Sequence, residues 1–107
     1  MRAEFLKGHL DFLILAALET GPAHGYAIVE QLRHRSNGAF DLPEGTVYPA
    51  LHRLERSGLL ASRWLVVSGR HRRLYRLTTK GNRALVQHRT DWTHFSQAVT
   101  AGLEPAR

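Results

Sequence analysis

A chain of 107 residues can build one small domain with its own core, and a net charge of +6 suits it to a polyanionic partner. The complete lack of cysteine excludes disulfides, thiolate metal sites and a cysteine nucleophile. No apolar run reaches membrane-span length, and MRAEFLKGHLDF lacks the apolar core and cleavage site of a signal peptide, so the expectation is a whole small cytoplasmic protein with no membrane association.

The first periodic segment runs from about His9 to Thr20. Leu10, Leu13, Ile14, Ala17 and Leu18 make a helical core stripe, and Phe12 and Leu15 lie beside it. With Phe5 and Leu6, this helix is apolar over much of its circumference, which asks for a second subunit as well as a core. TGPAHG (Thr20 to Gly25) is a turn. A second helix follows from about His24 to Ser36, burying Ile28, Val29 and Leu32, and Asn37 or Gly38 suits its left-handed cap. Asp41 and Glu44 have capping-box spacing ahead of a third helix that ends at Gly58.

That third helix turns Val47, Ala50, Leu51 and Leu54 to one side and Pro49, His52, Arg53 and Arg56 to the other, with Tyr48 and Glu55 on one border and Thr46 on the opposite one. Two extended runs come next, Leu59 to Ser68 and Arg72 to Thr78, joined by a basic hairpin tip, SGRHRR. Trp64, near the wing base, is expected in the core. The last helix, Thr79 to about Gly102, spaces Leu85, Trp92 and Val99 seven apart, with His88, Phe95 and Gly102 as the interleaved row. At roughly 36 Å it is too long to bury against so small a domain, which points to a homodimer. The expected interface is Phe5, Leu6, Phe12, Leu15, Leu85, His88, Trp92, Phe95 and Val99.

The element order is that of a winged helix-turn-helix, so the fold class expected is mainly α with a small β-hairpin wing and a long C-terminal dimerisation helix. Residues 1–78 would form the DNA-binding domain, and residues 79–107 the dimerisation helix and tail. A helix that buries one row and shows arginine and histidine outward can enter a major groove. Arg53 and Arg56 suit guanine edges or phosphates, His52 and Thr46 either, and Tyr48 a phosphate. Arg70, His71, Arg72 and Arg73 can follow the backbone or place an arginine in the minor groove. The arginine bias, 13 against 2 lysines, fits forked contacts of this kind. The competing reading is a winged-helix module that binds another protein and leaves DNA alone.

GTVYPALHRLERSGLL, with HGYAI before it and GRHRRLYRLTTKG after it, resembles the PadR family of bacterial transcription regulators, over about Leu6 to Val99. The single short final helix is similar to that of the compact subgroup. The resemblance implies a winged-helix dimer, usually a repressor, paired through its first and last helices on an inverted repeat in a double-stranded operator. It implies an operator contact for Tyr48, a recognition helix carrying Thr46, Pro49, His52 and Arg53, and a wing tip at Gly69 and Arg70. It further implies a small planar aromatic effector between the subunits, stacked on Trp92 and lined by Phe12 and Ser96.

No catalytic constellation is present: there is no G-x-S-x-G, no HExxH and no phosphate-cradling glycine loop. The seven histidines include no HxxxH pair, and His88 and His94 diverge around their helix, so no metal and no cofactor are expected.

Overall fold

The computed structural model describes Leu6 and residues 8–106. Helix α1 (Leu10–Ala17) is shorter than the apolar pattern suggests. Its last turn tightens, with Leu18 N–H donating to Leu15 and Glu19 N–H to Ala16, before Gly21 and Pro22 turn the chain. A two-residue strand, β1 (Ala23–His24), leads directly into α2 (Gly25–Arg35). At the end of α2, Asn37 adopts a left-handed conformation, and the N–H groups of Asn37 and Gly38 reach back to the carbonyls of His34 and Arg33.

Helix α3 (Glu44–Arg56) starts at Pro43 without any side-chain cap, so the expected box between Asp41 and Glu44 does not form. Its end is a Schellman motif: Gly58 N–H donates to Glu55 and Leu59 N–H to Leu54. Strands β2 (Leu60–Val67) and β3 (Arg70–Leu77) form the wing hairpin, and β1 pairs with the base of β3 to give the antiparallel order β1-β3-β2. The core lies between α1, α2, α3 and the base of this sheet. Ile14, Leu15, Ile28, Val47, Leu51, Leu60, Tyr75 and Leu85 are its most enclosed side chains, each aliphatic one stabilising the fold by about 1.5–3 kcal/mol through burial.

Helix α4 (Thr79–Leu103) is clasped to the end of α3. Lys80 Nζ donates to the Ser57 carbonyl at 2.8 Å, and the Thr78 hydroxyl donates to the Gly58 carbonyl at 2.7 Å while accepting from Gly81 N–H. A β-carbon on Gly81 would stand 2.1 Å from the Leu59 carbonyl oxygen, so only glycine permits this approach. Within α4 only Gly81 and Leu85 are buried. Of its roughly 37 Å, the part beyond Trp92 projects from the body, which accounts for the 64 × 28 × 21 Å extents of the chain.

Candidate nucleic-acid interface

Helix α3 is divided as its sequence pattern predicts. Val47, Ala50, Leu51 and Leu54 are buried, while Thr46, Pro49, His52, Arg53 and Arg56 are exposed. Pro49 removes the N–H that would have met the Gly45 carbonyl, yet Gly45 is itself exposed and water can serve that oxygen, which lowers the cost of the proline. Tyr48 is half-buried, its ring lying against Gly25 so closely that a β-carbon there would be 2.7 Å from Cε1. Gly25 opens α2, and the first turn of that helix has no side-chain cap. The Tyr48 hydroxyl therefore sits beside the first residue of α2. In the sequence only the glycine of HGYAI signals this contact.

The wing differs from expectation in two ways. Its tip is only Ser68 and Gly69, with φ of 52° and 76°, a tight hairpin turn. Arg70 and His71, expected in the basic tip, belong to β3, which therefore starts two residues before the expected Arg72. Arg70, His71 and Arg72 are exposed, but Arg73 is engaged within the protein. Its Nε donates to the Ser62 hydroxyl at 2.7 Å, its Nη2 meets Glu55 Oε1 at 3.2 Å, and its guanidinium lies 5.1 Å from the Trp64 ring centroid. Trp64, expected in the core, is 61 % exposed, because it sits where the hairpin leaves the body, with the Arg73 guanidinium over its ring. Arg53 also has an internal partner: its Nη2 is 2.6 Å from Asp11 Oδ1 on α1.

A second feature lies between α1 and α4, an apolar groove of about 890 Å³ lined chiefly by His9, Phe12, Leu13, Phe40, His88 and Trp92. The His88 ring stacks on Phe12 at 3.6 Å, and His9 meets Trp92 edge-on at 5.0 Å. Burial and the neighbouring His9 hold the His88 imidazole below its usual pKa, with Asp91 opposing them. Arg89, on the rim, makes two hydrogen bonds to Glu19, at 2.6 and 2.8 Å, which lower the Glu19 carboxyl pKa and raise that of the guanidinium. Ser96 does not line this groove; its hydroxyl donates to the Thr93 carbonyl.

Of the residues expected at a subunit interface, Trp92, Phe95 and Val99 are exposed, at 46, 59 and 41 %, and Leu6, Phe12 and His88 are partly so. Leu15 and Leu85, in contrast, are 0 and 1 % exposed within the single chain and have no surface left for a partner. Phe5 lies outside the described residues. Among the described residues no helix is long and apolar enough to cross a membrane, and no three metal-ligating side chains converge.

Residues 14–87 match the model of the transcriptional regulator PadR-like family. A transcriptional regulator of Mycobacterium tuberculosis is 36 % identical over 99 residues, covering 92 % of this chain and 90 % of that protein. A solved PadR family transcriptional regulator from Eggerthella lenta superposes with a TM-score of 0.86 at 35 % identity, covering 96 % of this chain and 88 % of the other. Another, from Clostridium difficile, gives 0.80 at 34 % identity, with 91 and 100 % covered.

Proposed function

The chain belongs to the PadR-like family of transcriptional regulators and is no enzyme, and from that premise we propose that it is a homodimeric, sequence-specific DNA-binding repressor in the cytoplasm. Residues 1–78 act as the DNA-binding domain and residues 79–107 as the dimerisation helix and tail. The observation that carries this reading is the division of α3, which commits one row of side chains to the core and leaves Thr46, Pro49, His52, Arg53 and Arg56 outward on a rigid helix. Each α3 reads half of an inverted repeat. Arg70, His71 and Arg72 grip the adjacent backbone, Gly69 lets the tip approach it, and Tyr48 with the start of α2 takes a phosphate.

The projecting part of α4 supports the dimer: Trp92, Phe95 and Val99 form an exposed apolar stripe too long to be covered by its own domain. The aromatic lining of the α1–α4 groove supports a small planar aromatic effector, stacked on Trp92 and Phe12, that alters operator affinity by shifting α1 against α4. Quenching of Trp92 fluorescence by such compounds tests this second step. Unchanged fluorescence at high concentration removes its basis.

The decisive experiment is salt-dependent binding of the purified protein to its own upstream DNA and to a scrambled duplex. A preference that survives moderate salt, with a steep salt slope, supports the reading. The double variant Arg53→Ala, Arg72→Ala should lose binding while remaining dimeric. A variant that still binds DNA normally refutes the assignment of these two arginines, whereas wild type that binds neither duplex leaves a protein-interaction module as the alternative.

A further inference from the structure

Among the described residues, strand β1 pairs with β3 only at Tyr75 and Leu74, so from Arg73 outward β3 has β2 as its sole strand partner there. The hairpin beyond this point is exposed on both strands and extends about 10 Å to its tip. A ribbon attached only at its base can swing, and its angle is set by whatever holds that base. Here the base is held on two sides. The His24 ring nitrogen Nδ1 is 3.3 Å from the Arg73 carbonyl oxygen. On the opposite side the Arg73 side chain joins Glu55 of α3, both directly and through Ser62, whose hydroxyl donates to Glu55 Oε2 at 2.6 Å. Trp64, directly across the ladder from Arg73, lies under the guanidinium.

We propose that Glu55 and Arg73 are positioning residues: the Glu55–Ser62–Arg73–Trp64 strut fixes the wing against α3 so that both reach the same duplex together. The inference rests on the DNA-binding reading above and assigns Arg73 to the strut, not to DNA. Glu55 and Arg73 are only partly exposed, at 26 and 35 % of their side chains, so the strut is sheltered but not deeply buried. Its function is geometric. A wing free to swing loses entropy on every binding event, whereas a wing already held has lost it in advance.

The chemistry supplies a test with an unusual sign. Removing a carboxylate near a polyanion ordinarily tightens binding. A strut predicts that Glu55→Ala instead weakens whatever part of the affinity depends on the wing. Two duplexes separate the contributions: one selected in vitro with the wild-type protein, and the same duplex trimmed of the flanks beyond the α3 footprint. Wild type should prefer the flanked duplex by roughly tenfold, from several charged phosphate contacts. Glu55→Ala and Arg73→Ala should each bring that ratio to within about twofold, the double variant should go no further, and Glu55→Ala should bind the trimmed duplex at least as well as wild type. Ser62→Ala, which leaves every charge in place, should lower the ratio by about threefold and covers the case in which a charge variant fails to fold.

If Glu55→Ala tightens binding to both duplexes equally, only bulk charge is at work and the strut is refuted. If Arg73→Ala alone lowers the ratio, Arg73 touches DNA directly and the strut is again refuted. Wild type that binds both duplexes equally overturns this inference while leaving operator binding intact, whereas wild type that binds neither overturns the functional reading itself.

Discussion

Replacing Gly25 with alanine would place a methyl group 2.7 Å from Cε1, 2.9 Å from Cζ and 3.0 Å from the hydroxyl oxygen of Tyr48. Ordinary carbon contact begins near ~3.5 Å, so the ring must retreat by roughly 0.8 Å. Two stability terms oppose each other. Alanine in a helix interior is favoured over glycine by about 1 kcal/mol, and less at the first residue of α2, where Gly25 stands. Overpacking costs about 1–3 kcal/mol, so the sum is a net loss on the order of 1 kcal/mol. DNA binding should lose more. A displaced Tyr48 hydroxyl would forfeit the hydrogen bond to a charged phosphate proposed for it, worth about 1.5–3 kcal/mol, or roughly tenfold to a hundredfold in Kd. The assay is a double-mutant cycle with Tyr48→Ala, reading urea denaturation and the anisotropy of a labelled operator duplex. In the Tyr48→Ala background the clash and the hydroxyl are both gone, so Gly25→Ala should be neutral or slightly stabilising and leave Kd unchanged. Strict additivity of the two substitutions in stability, or an unaltered operator affinity for Gly25→Ala alone, would refute the reasoning.

Arg72→Ala should weaken binding to all sequences alike and reduce the slope of log K against log salt by about 1, as expected for an exposed phosphate contact. Asp11→Asn, which frees Arg53 from its carboxylate, should tighten operator binding by less than about fivefold, measured by the same anisotropy titration. The depressed His88 pKa favours the neutral imidazole in the folded state. Its contribution to stability is therefore complete above the ordinary histidine value of about 6.5 and is lost as pH falls through the lower folded value. Urea midpoints should decline on acidification in wild type and decline less in His88→Gln. Phe95→Asp places a charge on the exposed apolar stripe of α4 and should shift the protein from dimer to monomer in sedimentation, with little change in its helical circular dichroism.

The fold was largely legible because periodicity reports burial directly. The inward rows of α2 and α3 appear in the core as read, and Asn37 marks its turn through its left-handed backbone. What escaped the sequence depends on long-range partners. Strand β1 is two residues long and exists only because β3 offers an edge, so Ala23–His24 carries no periodic signal of its own. Trp64 was misplaced because an aromatic residue in a strand usually packs inward, whereas here the hairpin has already left the body. Leu15 and Leu85 were assigned to an interface because both sit on apolar helix faces, and a pattern of apolar spacing cannot tell a domain core from a subunit seam. Arg73 reads with its basic neighbours because it closes the run SGRHRR, and the partner that sets it apart, Glu55, is 18 residues away in sequence.

Two of the arginines near the outer face of α3 and the wing thus meet carboxylates, but the pairs differ in kind. Arg53 and Asp11 form a single contact with side chains 54 and 34 % exposed. A pair this open is worth about 0–1 kcal/mol, less than the roughly 1.5–3 kcal/mol of a charge-assisted bond to phosphate. Arg53 can therefore exchange Asp11 for the DNA contact proposed for it at little cost. Arg73 is bonded to Ser62 and Glu55 and backed by Trp64, so three contacts must fail before it is released. The first pair behaves as a placeholder and the second as a fixture. Asp11 also adjoins Phe12, which lines the α1–α4 groove and stacks on His88. A displacement of α1 would therefore carry the carboxylate partner of Arg53 with it, whereas the hydrogen bonds of Glu55 run to Ser62 and Arg73 and not to α1.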